Sequence, residues 1–381
     1  MVADKTIYLD NAATTKPYKE VLESYEKVST SYFANSSSTH KLCQESSRLI
    51  ELSRKQILDL LHLSNTHEAI FTSGATESNN FAIIGYALAH KNRGKHLITT
   101  VYEHPSVLQS FKFLERELGF NVTYLEVNKE GKVEIDNLLN AITEDTILVS
   151  IMAANNEIGS VNEIEKIANK LKMYPKIAFH VDAVQSVGKL DIDFKDVDLV
   201  TLTSHKVHGP KGVGCLIKRK NLDITPLNNG GGQEGGLRSG TTSVDLIVCF
   251  AKALRITIEN EKESFKIVSK FRDLVWKYVK NHDDLYEINS GLENPYIINF
   301  SLLNRKASVV VEALSNENIM ISSISACHSK NEKYSYVVKA LGKPEQIYRN
   351  TLRVSFDETN TEEEIKIFLE KLDKIVGEIK Q

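Results

Sequence analysis

The chain has 381 residues, of which 41% are hydrophobic and 25% charged, an ordinary globular composition. A formal net charge of -3, with no run of like charges, argues against direct binding to nucleic acid. No stretch reaches the ~18 uninterrupted apolar residues of a membrane span, and the first residues lack the basic and apolar regions of a signal peptide. We therefore expect a cytoplasmic protein that binds neither a membrane nor nucleic acid.

Short apolar runs alternate with amphipathic stretches between residues 66 and 218. This alternation predicts β-α units around a mainly parallel sheet with helices on both faces, and therefore an α/β fold. The predicted strands are EAIFTS, HLITTVY, NVTYLEV, TILVSIMA, KIAFHVD, DLVTLTS and GVGCLI. The predicted helices include ESNNFAIIGYALAH, SVLQSFKFLERELG and EIEKIANKLKM, whose apolar residues recur at spacings of three and four.

The last third of the chain has a different pattern. A glycine-rich segment, residues 228–243, is typical of a loop that allows close backbone approach, and a helical pattern then runs from Val244 to residue 280. The segments IINFSLL, VVVEALSNE, NTLRVSF and TEEEIKIFLEKLDKIVGEI predict a smaller α+β domain. We expect residues 15–260 to form the large domain, and residues 1–14 and 261–381 to form the small domain.

Two charged residues end predicted apolar strands, where open α/β sheets place their sites. Lys206 follows DLVTLTS, and a lysine in a dry site is the residue that forms a Schiff base with an aldehyde cofactor. The alternative interpretation of Lys206 is a solvated surface charge. Asp182 ends KIAFHVD and needs a cationic partner, such as a protonated pyridine ring. Its alternative is a helix N-cap.

Two further strand ends carry polar residues. The segment TSGATES, residues 72–78, starts a helix where backbone N–H groups and the Thr76 hydroxyl can hold a phosphate. The same residues also fit a helix cap with a glutamate in its first turn. His104, in VYEHPS, can stack on a planar ring and move protons, or can simply cap a helix.

The four cysteines show no CxxC pairing, so we predict neither a disulfide framework nor a metal site. Cys327 lies in a short polar stretch and is the candidate for a reactive thiol, whereas Cys215 and Cys249 lie in apolar runs typical of buried, inert residues. Arg353, on a predicted strand, is suited to grip a carboxylate of a substrate or of an internal acidic residue.

Nine strings, in order, resemble the class V aminotransferase superfamily and, within it, the cysteine desulfurases of the NifS/IscS type. Together they span nearly the whole chain, which makes the resemblance specific. They are YLDNAATT, TSGATESNN, EHPSV, AANNEIGSV, HVDAVQSVGK, SHKVHGPKGVG, GGGQEGGLRSGT, SSISACHS and LRVSF.

The resemblance implies pyridoxal 5'-phosphate as cofactor and a role for each matching residue. Lys206 would form the Schiff base, Asp182 would pair with the pyridinium, and His104 would stack on the ring. Gln185 would donate to the ring oxygen, and Asn155 would bind both cofactor and substrate. Arg353 would bind the substrate carboxylate, and Cys327 would receive the sulfur. The phosphate would be bound by Ala75, Thr76, Ser204, His205 and, from the other subunit of a homodimer, Thr241.

The implied reaction converts L-cysteine to L-alanine and leaves the sulfur on Cys327 as a persulfide for an acceptor protein. The acceptor would serve iron-sulfur cluster assembly or tRNA thiolation. A selenocysteine or cysteine lyase of the same fold and a non-catalytic cofactor-binding paralogue are the alternatives. Three departures from the family pattern bear on these alternatives: Ile324 and Asp357 replace a usual glycine, and Gly235 replaces a common arginine. Asp357 is expected to weaken substrate binding by Arg353.

Overall fold

The computed structural model describes residues 6–323 and 334–378. Its strands are β1 (Ile7–Tyr8), β2 (His67–Thr72), β3 (His96–Thr100), β4 (Asn121–Leu125), β5 (Thr146–Ser150), β6 (Ala178–Asp182), β7 (Leu199–Thr203), β8 (Gly214–Arg219), β9 (Tyr286–Ile288), β10 (Ile297–Leu302), β11 (Ile319–Met320), β12 (Ser322–Ser323) and β13 (Thr351–Ser355). Its helices are α1 (Lys19–Ser31), α2 (Lys41–Leu60), α3 (Ala75–Asn80), α4 (Tyr86–His90), α5 (Pro105–Leu118), α6 (Ile135–Ala141), α7 (Ile164–Leu171), α8 (Val244–Lys280), α9 (Ala307–Asn316), α10 (Tyr336–Ala340), α11 (Glu345–Arg349) and α12 (Glu362–Glu378).

The large sheet contains the seven predicted strands in the order β2-β8-β7-β6-β5-β3-β4. The strands from β3 to β7 run parallel, and β8 is antiparallel to both of its neighbours. Neighbouring residues of one strand pack into two different apolar clusters, as Ile98 and Leu97 of β3 do. Both faces of the sheet are therefore covered, which explains why its strands are continuous apolar runs. The predicted α/β class is confirmed.

The long helix α8 connects the two parts of the chain. Its first half, including Ile247 and Leu254, packs into the cluster of the large sheet. Its second half, including Val268 and Val275, packs into a separate cluster with the last strands and α12. The apolar face of this helix thus contributes to two cores, which is the reason for its 37-residue length.

A smaller antiparallel sheet has the order β12-β13-β10-β9, and β1 pairs in parallel with β11. Ile7, Leu9 and Ala12 pack into the same cluster as the residues of this smaller sheet, although they lie at the start of the chain. The domain boundaries given above stay a prediction. Within residues 6–323 and 334–378, every helix is too short or too polar to span a membrane.

Candidate active site

A cavity of about 1070 Å³ opens at the carboxyl ends of the large sheet. Residues that follow β2, β3, β6 and β7 line one side of it, and residues of β12 and β13 line the other. This edge is where parallel α/β sheets bind ligands. Eight of the predicted site residues lie on the cavity wall: Ala75, Thr76, His104, Asp182, Gln185, His205, Lys206 and Arg353.

Lys206 ends a single 3-10 turn that directly follows β7. Its Nζ donates to the carbonyl oxygens of Ala12 at 2.5 Å and Ala13 at 2.8 Å. Loss of water and then the positive charge of Lys189 lower the pKa of the Lys206 amine from 10.5 to about 7. A large fraction of this amine is therefore neutral, and nucleophilic, at neutral pH.

Asp182 is the last residue of β6, and its carboxylate is almost completely buried. The carboxylate accepts hydrogen bonds from Asn79 Nδ2 at 2.8 Å and from the backbone N–H of Val184 at 3.1 Å. The second bond belongs to a turn and not to a helix cap, because residues 184–189 form turns and the next element is β7. No basic side chain of the described residues forms an ion pair with Asp182. A buried carboxylate on a cavity wall without a cation is suited to a cationic ligand atom.

The turn between β2 and α3 leaves backbone donors facing the cavity. Gly74 precedes α3 and provides no side-chain cap for the first N–H groups of that helix, at Ala75 and Thr76. The strand β8 passes so close to this turn that position 214 requires glycine, since a Cβ on Gly214 would lie 2.7 Å from the backbone of Gly74. Glu77 Oε2 accepts from the N–H of Ser73 at 2.7 Å, as the predicted cap with a first-turn glutamate requires. The first N–H groups of α3 stay open to a ligand, so both predicted features are present.

Ser204 and His205 lie next to this turn. The buried Ser204 Oγ has no hydrogen-bond partner among the described residues, although a buried hydroxyl normally has one. His205 lines the cavity, and its Nδ1 lies 3.2 Å from Thr14 Oγ1. Burial and then Lys206 lower the pKa of His205 to about 4, so the imidazole is neutral at pH 7. The unsatisfied hydroxyl is a feature that a bound acceptor group, such as a phosphate, would explain.

His104 both caps α5 and lines the cavity, so its two predicted roles are compatible. Its Nδ1 accepts from the N–H of Ser106 at 3.1 Å, which fixes the orientation of the ring. Proline at position 105 starts the helix and restrains the backbone beside the histidine. The imidazole is thus held at the cavity wall by the end of a helix rather than by a flexible loop.

Arg353 has an internal acidic partner, which was one of its two predicted roles. Its Nη2 forms an ion pair with Asp10 Oδ1 at 2.8 Å, and its Nη1 donates to the carbonyl oxygen of Asn156 at 2.9 Å. The guanidinium still lines the cavity, and its Nε has no partner among the described residues. A substrate carboxylate would therefore meet a positioned cation whose charge is already partly balanced.

Three predicted residues do not line this cavity. Asn155 is completely buried, and its Oδ1 accepts from the N–H groups of Glu157 at 2.8 Å and Ile158 at 3.1 Å. Its side chain thus holds the loop, and Asn156 lines the cavity instead. Ser204 lies just behind the wall, and Thr241 is exposed in the segment before α8.

Three of the four cysteines lie within the described residues, and all three are buried. Cys327 lies outside the described residues. Cys215 and Cys249 are completely buried, and loss of water raises the pKa of each thiol to about 12, in agreement with the prediction that they are inert. Cys43 is also buried.

Of the three residues that depart from the family pattern, the structure describes two, Asp357 and Gly235. The Asp357 carboxylate is buried 3.7 Å from His208 Nε2 and accepts from Thr359 Oγ1 at 2.6 Å, and its effect on substrate binding by Arg353 stays a prediction. Gly235 has a φ of +64°, which favours glycine over the arginine common in the family. Ile324 lies outside the described residues.

Three residues near the cavity were missed by the sequence analysis: Asp10, Glu157 and Lys189. Burial raises the pKa of Glu157 to about 7, and its Oε2 accepts from Ser335 Oγ at 2.6 Å. Each of the three lies inside a string quoted above, YLDNAATT, AANNEIGSV or HVDAVQSVGK. A charged residue within an otherwise apolar or small-residue string was the available signal.

Comparisons with known proteins agree with this geometry. The model of the Aminotransferase class-V family matches residues 7–368. A NifS/IcsS protein homolog of Lactobacillus delbrueckii subsp. bulgaricus is 44% identical, over 97% of this chain and 97% of the relative. The cysteine desulfurase IscS of Clostridium botulinum is 38% identical, over 98% of this chain and 95% of the relative. A solved structure described as a NifS-like protein superposes with a TM-score of 0.92 at 35% identity, over 98% of this chain and all of that one. The chain therefore belongs to the class V aminotransferase family and, within it, to the NifS/IscS cysteine desulfurases.

Proposed function

We propose that this protein is a pyridoxal-phosphate-dependent cysteine desulfurase, which converts L-cysteine to L-alanine and receives the sulfur on Cys327. One observation carries the proposal: two residues line the same cavity. Lys206 has a buried amine of low pKa, and Asp182 has a carboxylate that forms no ion pair with a basic side chain of the described residues. The relatives named cysteine desulfurase, which match nearly the full chain, support the same activity.

The residues around the cavity fit pyridoxal phosphate. The neutral fraction of the Lys206 amine suits an aldehyde, and the Asp182 carboxylate suits a protonated ring nitrogen. The Ser204 hydroxyl, which follows the wall residue Thr203 and has no partner among the described residues, suits a phosphate oxygen. We assign the remaining phosphate contacts to Ala75, Thr76 and His205. When bound, this cofactor supplies a ring that withdraws electrons from the α-carbon of the amino acid.

The side chains of the protein would orient the substrate and move its protons. Arg353 would hold the substrate carboxylate beside the cavity wall. Lys206 Nζ would accept the α-proton, because a pKa of about 7 makes it an effective base at neutral pH. His104 would hold the ring plane from the end of α5.

The sulfur transfer is balanced without an external oxidant. The Cys327 thiolate attacks the sulfur of L-cysteine, an S–S bond forms and the C–S bond of the substrate breaks. The electron pair of the broken bond stays with the carbon skeleton, which takes up a proton and leaves as L-alanine. Cys327 is left as a persulfide, from which the outer sulfur passes to a thiol of an acceptor.

We assign the finer properties on the family resemblance. The protein would be a cytoplasmic homodimer in which Thr241 of one subunit completes the phosphate site of the other, in keeping with the exposed position of Thr241. Asn155 would act by holding its loop, since its Oδ1 accepts from N–H groups within the loop and its Nδ2 donates to the carbonyl oxygen of Tyr102 at 3.1 Å. The acceptor would be a protein of iron-sulfur cluster assembly or tRNA thiolation.

The purified protein should form alanine and sulfide in equal amounts from L-cysteine when dithiothreitol is present to release the persulfide sulfur. Without the reductant, alanine formation should stop after about one equivalent per subunit, because each Cys327 can hold one transferred sulfur. Both products are measured by chromatography and by colorimetric sulfide assay. Alanine formation that continues at the full rate without reductant would favour a lyase that releases sulfur directly. No alanine under either condition would favour a non-catalytic paralogue.

The cofactor-free protein should capture pyridoxal phosphate faster as the pH rises through about 7, and the rate should level off above about pH 8. Only the neutral amine attacks the aldehyde, and burial lowers the pKa of Lys206 to about 7, so the neutral form is already dominant at pH 8. The rise of visible absorbance after rapid mixing measures this rate from about pH 5.5 to about pH 9. A rate that still increases tenfold per unit above pH 8 would show an amine of ordinary basicity.

A further inference from the structure

Lys189 is a buried lysine that the proposed reaction does not use. Only 7% of its surface is exposed, and it forms no ion pair with a carboxylate within the described residues. Its one hydrogen bond there runs from Nζ to Gln185 Oε1 at 3.4 Å, and its Nζ lies 5.9 Å from the centre of the Tyr296 ring. A cation in such a place is costly, so its presence calls for an explanation.

We propose that Lys189 is a positioning residue, which helps to orient the amide of Gln185 and places a positive charge behind the amine of Lys206. For the identity of the ligand that meets Gln185, the inference rests on the proposed function. For the effect on Lys206, it rests on the geometry of the protein alone.

The bond to Lys189 helps to determine which way the Gln185 amide points. A lysine ammonium can only donate, so it must face the amide oxygen, Oε1. The amide nitrogen then faces the other way, and Nε2 donates one hydrogen to the carbonyl oxygen of Ala12 at 2.9 Å. Gln185 lines the cavity, so the second Nε2 hydrogen is available to an acceptor atom of a ligand. The Ala12 carbonyl can only accept, so it and the Lys189 ammonium favour the same orientation of the amide from opposite sides.

The same carbonyl connects Lys189 with Lys206. Ala12 O accepts from Gln185 Nε2 and, at 2.5 Å, from Lys206 Nζ. The two ammonium groups therefore lie at the two ends of one short hydrogen-bonded chain. Because the region is dry, the repulsion between them is weakly screened and disfavours the protonated form of Lys206.

The other charges around Lys206 act in both directions. After loss of water, Lys189 is the charge that lowers the pKa of Lys206 most, and Arg353 acts in the same direction. Asp10 and Asp182 raise it. His205 is neutral at pH 7 and adds little charge. Lys189 is thus the strongest of the charges that keep the Lys206 amine neutral.

Two carboxylates help to keep Lys189 charged. Loss of water lowers the pKa of Lys189 to about 8, while Asp357 and Glu358 oppose this effect. Asp357 is buried at 4% exposure and is held by the N–H of Thr359 at 2.9 Å. The carboxylate at a position where the family usually has glycine therefore supports a charge behind the site.

The test is the variant Lys189→Met, which has a side chain of similar length without a charge. The reactivity of Lys206 toward an acylating reagent is followed across pH in the full chain freed of cofactor, with quantification by peptide mass spectrometry. We expect the midpoint for Lys206 to rise by about 0.5 to 1 pH unit, which is a loss of about 2- to 5-fold in labelling at pH 7 and of about 3- to 10-fold well below pH 7. In the cofactor-bound protein, the pH midpoint of the visible absorbance should move in the same direction.

The matched control is Lys195→Met, the same substitution at an exposed lysine paired with Asp193, for which both midpoints should equal those of the wild type. If Lys189→Met does not fold, Lys189→Gln removes the same charge and should give the same rise. An unchanged Lys206 midpoint in a folded, uncharged variant overturns the inference. This result is distinct from failure of the proposed function, because labelling needs no turnover. A raised midpoint in a protein that forms no alanine would support the inference and reject the desulfurase.

Discussion

Lys206→Ala should form alanine from L-cysteine at least ~10³-fold more slowly than the wild type, because one substitution removes both the covalent attachment of the cofactor and the base for the α-proton. The structure supports both roles, since the amine lies at the cavity wall and burial lowers its pKa to about 7. The visible absorbance of the bound cofactor should also change, because free pyridoxal phosphate absorbs differently from its Schiff base. Alanine formation and the absorbance spectrum are measured on the same preparation.

The control for this variant is Lys195→Ala, which removes an exposed lysine and should keep wild-type activity. Thermal unfolding of both variants checks that the fold is intact, because Lys206 also donates to the carbonyl oxygens of Ala12 and Ala13. If folded Lys206→Ala kept more than about a tenth of the wild-type rate, Lys206 would not be the base.

Cys327→Ala should lose alanine formation from L-cysteine by at least ~100-fold while it keeps the cofactor absorbance of the wild type. The reason is chemical: without a thiolate to accept the sulfur, the C–S bond of the substrate would not break, whereas Lys206 and Asp182, in their proposed roles, would still hold the cofactor. The measurement compares initial rates in saturating dithiothreitol and the visible spectra of both proteins. Loss of activity with the spectrum retained separates sulfur transfer from cofactor binding.

Cys249→Ala is the matched control, since this thiol is completely buried and burial raises its pKa to about 12. It should retain the wild-type rate per folded molecule. Full alanine formation by Cys327→Ala would exclude the persulfide on this residue and favour the selenocysteine or cysteine lyase. Loss of the absorbance in Cys327→Ala would instead indicate a damaged cofactor site.

The two alternatives differ in what they require of the cavity. A lyase of this fold needs the Lys206 amine and the Asp182 carboxylate but does not need the thiol of Cys327 to accept the sulfur. A non-catalytic paralogue needs neither a base of low pKa nor a positioned guanidinium. The low pKa of Lys206 and the position of Arg353 on the cavity wall therefore favour an enzyme over a binding protein.

The large sheet could be predicted from the sequence because its strands are buried on both faces. A strand with no exposed face is a continuous apolar run, and the runs ending at Asp182 and before Lys206 stood out for that reason. Parallel neighbours end at the same edge, which is why both charged residues lie on the wall of one cavity. The long helix α8 was predicted because a 3.6-residue apolar period is visible over its whole length.

Only the tertiary structure decided which polar groups meet. Arg353 pairs with Asp10 across 343 residues of sequence, and Asp357 lies beside His208 instead of Arg353. The direction of an amide or a carboxylate depends on contacts from distant segments, which apolar periodicity does not encode. For the same reason, the sequence showed Lys189 within a family string, whereas its bond to Gln185 and its position behind Lys206 required the folded chain.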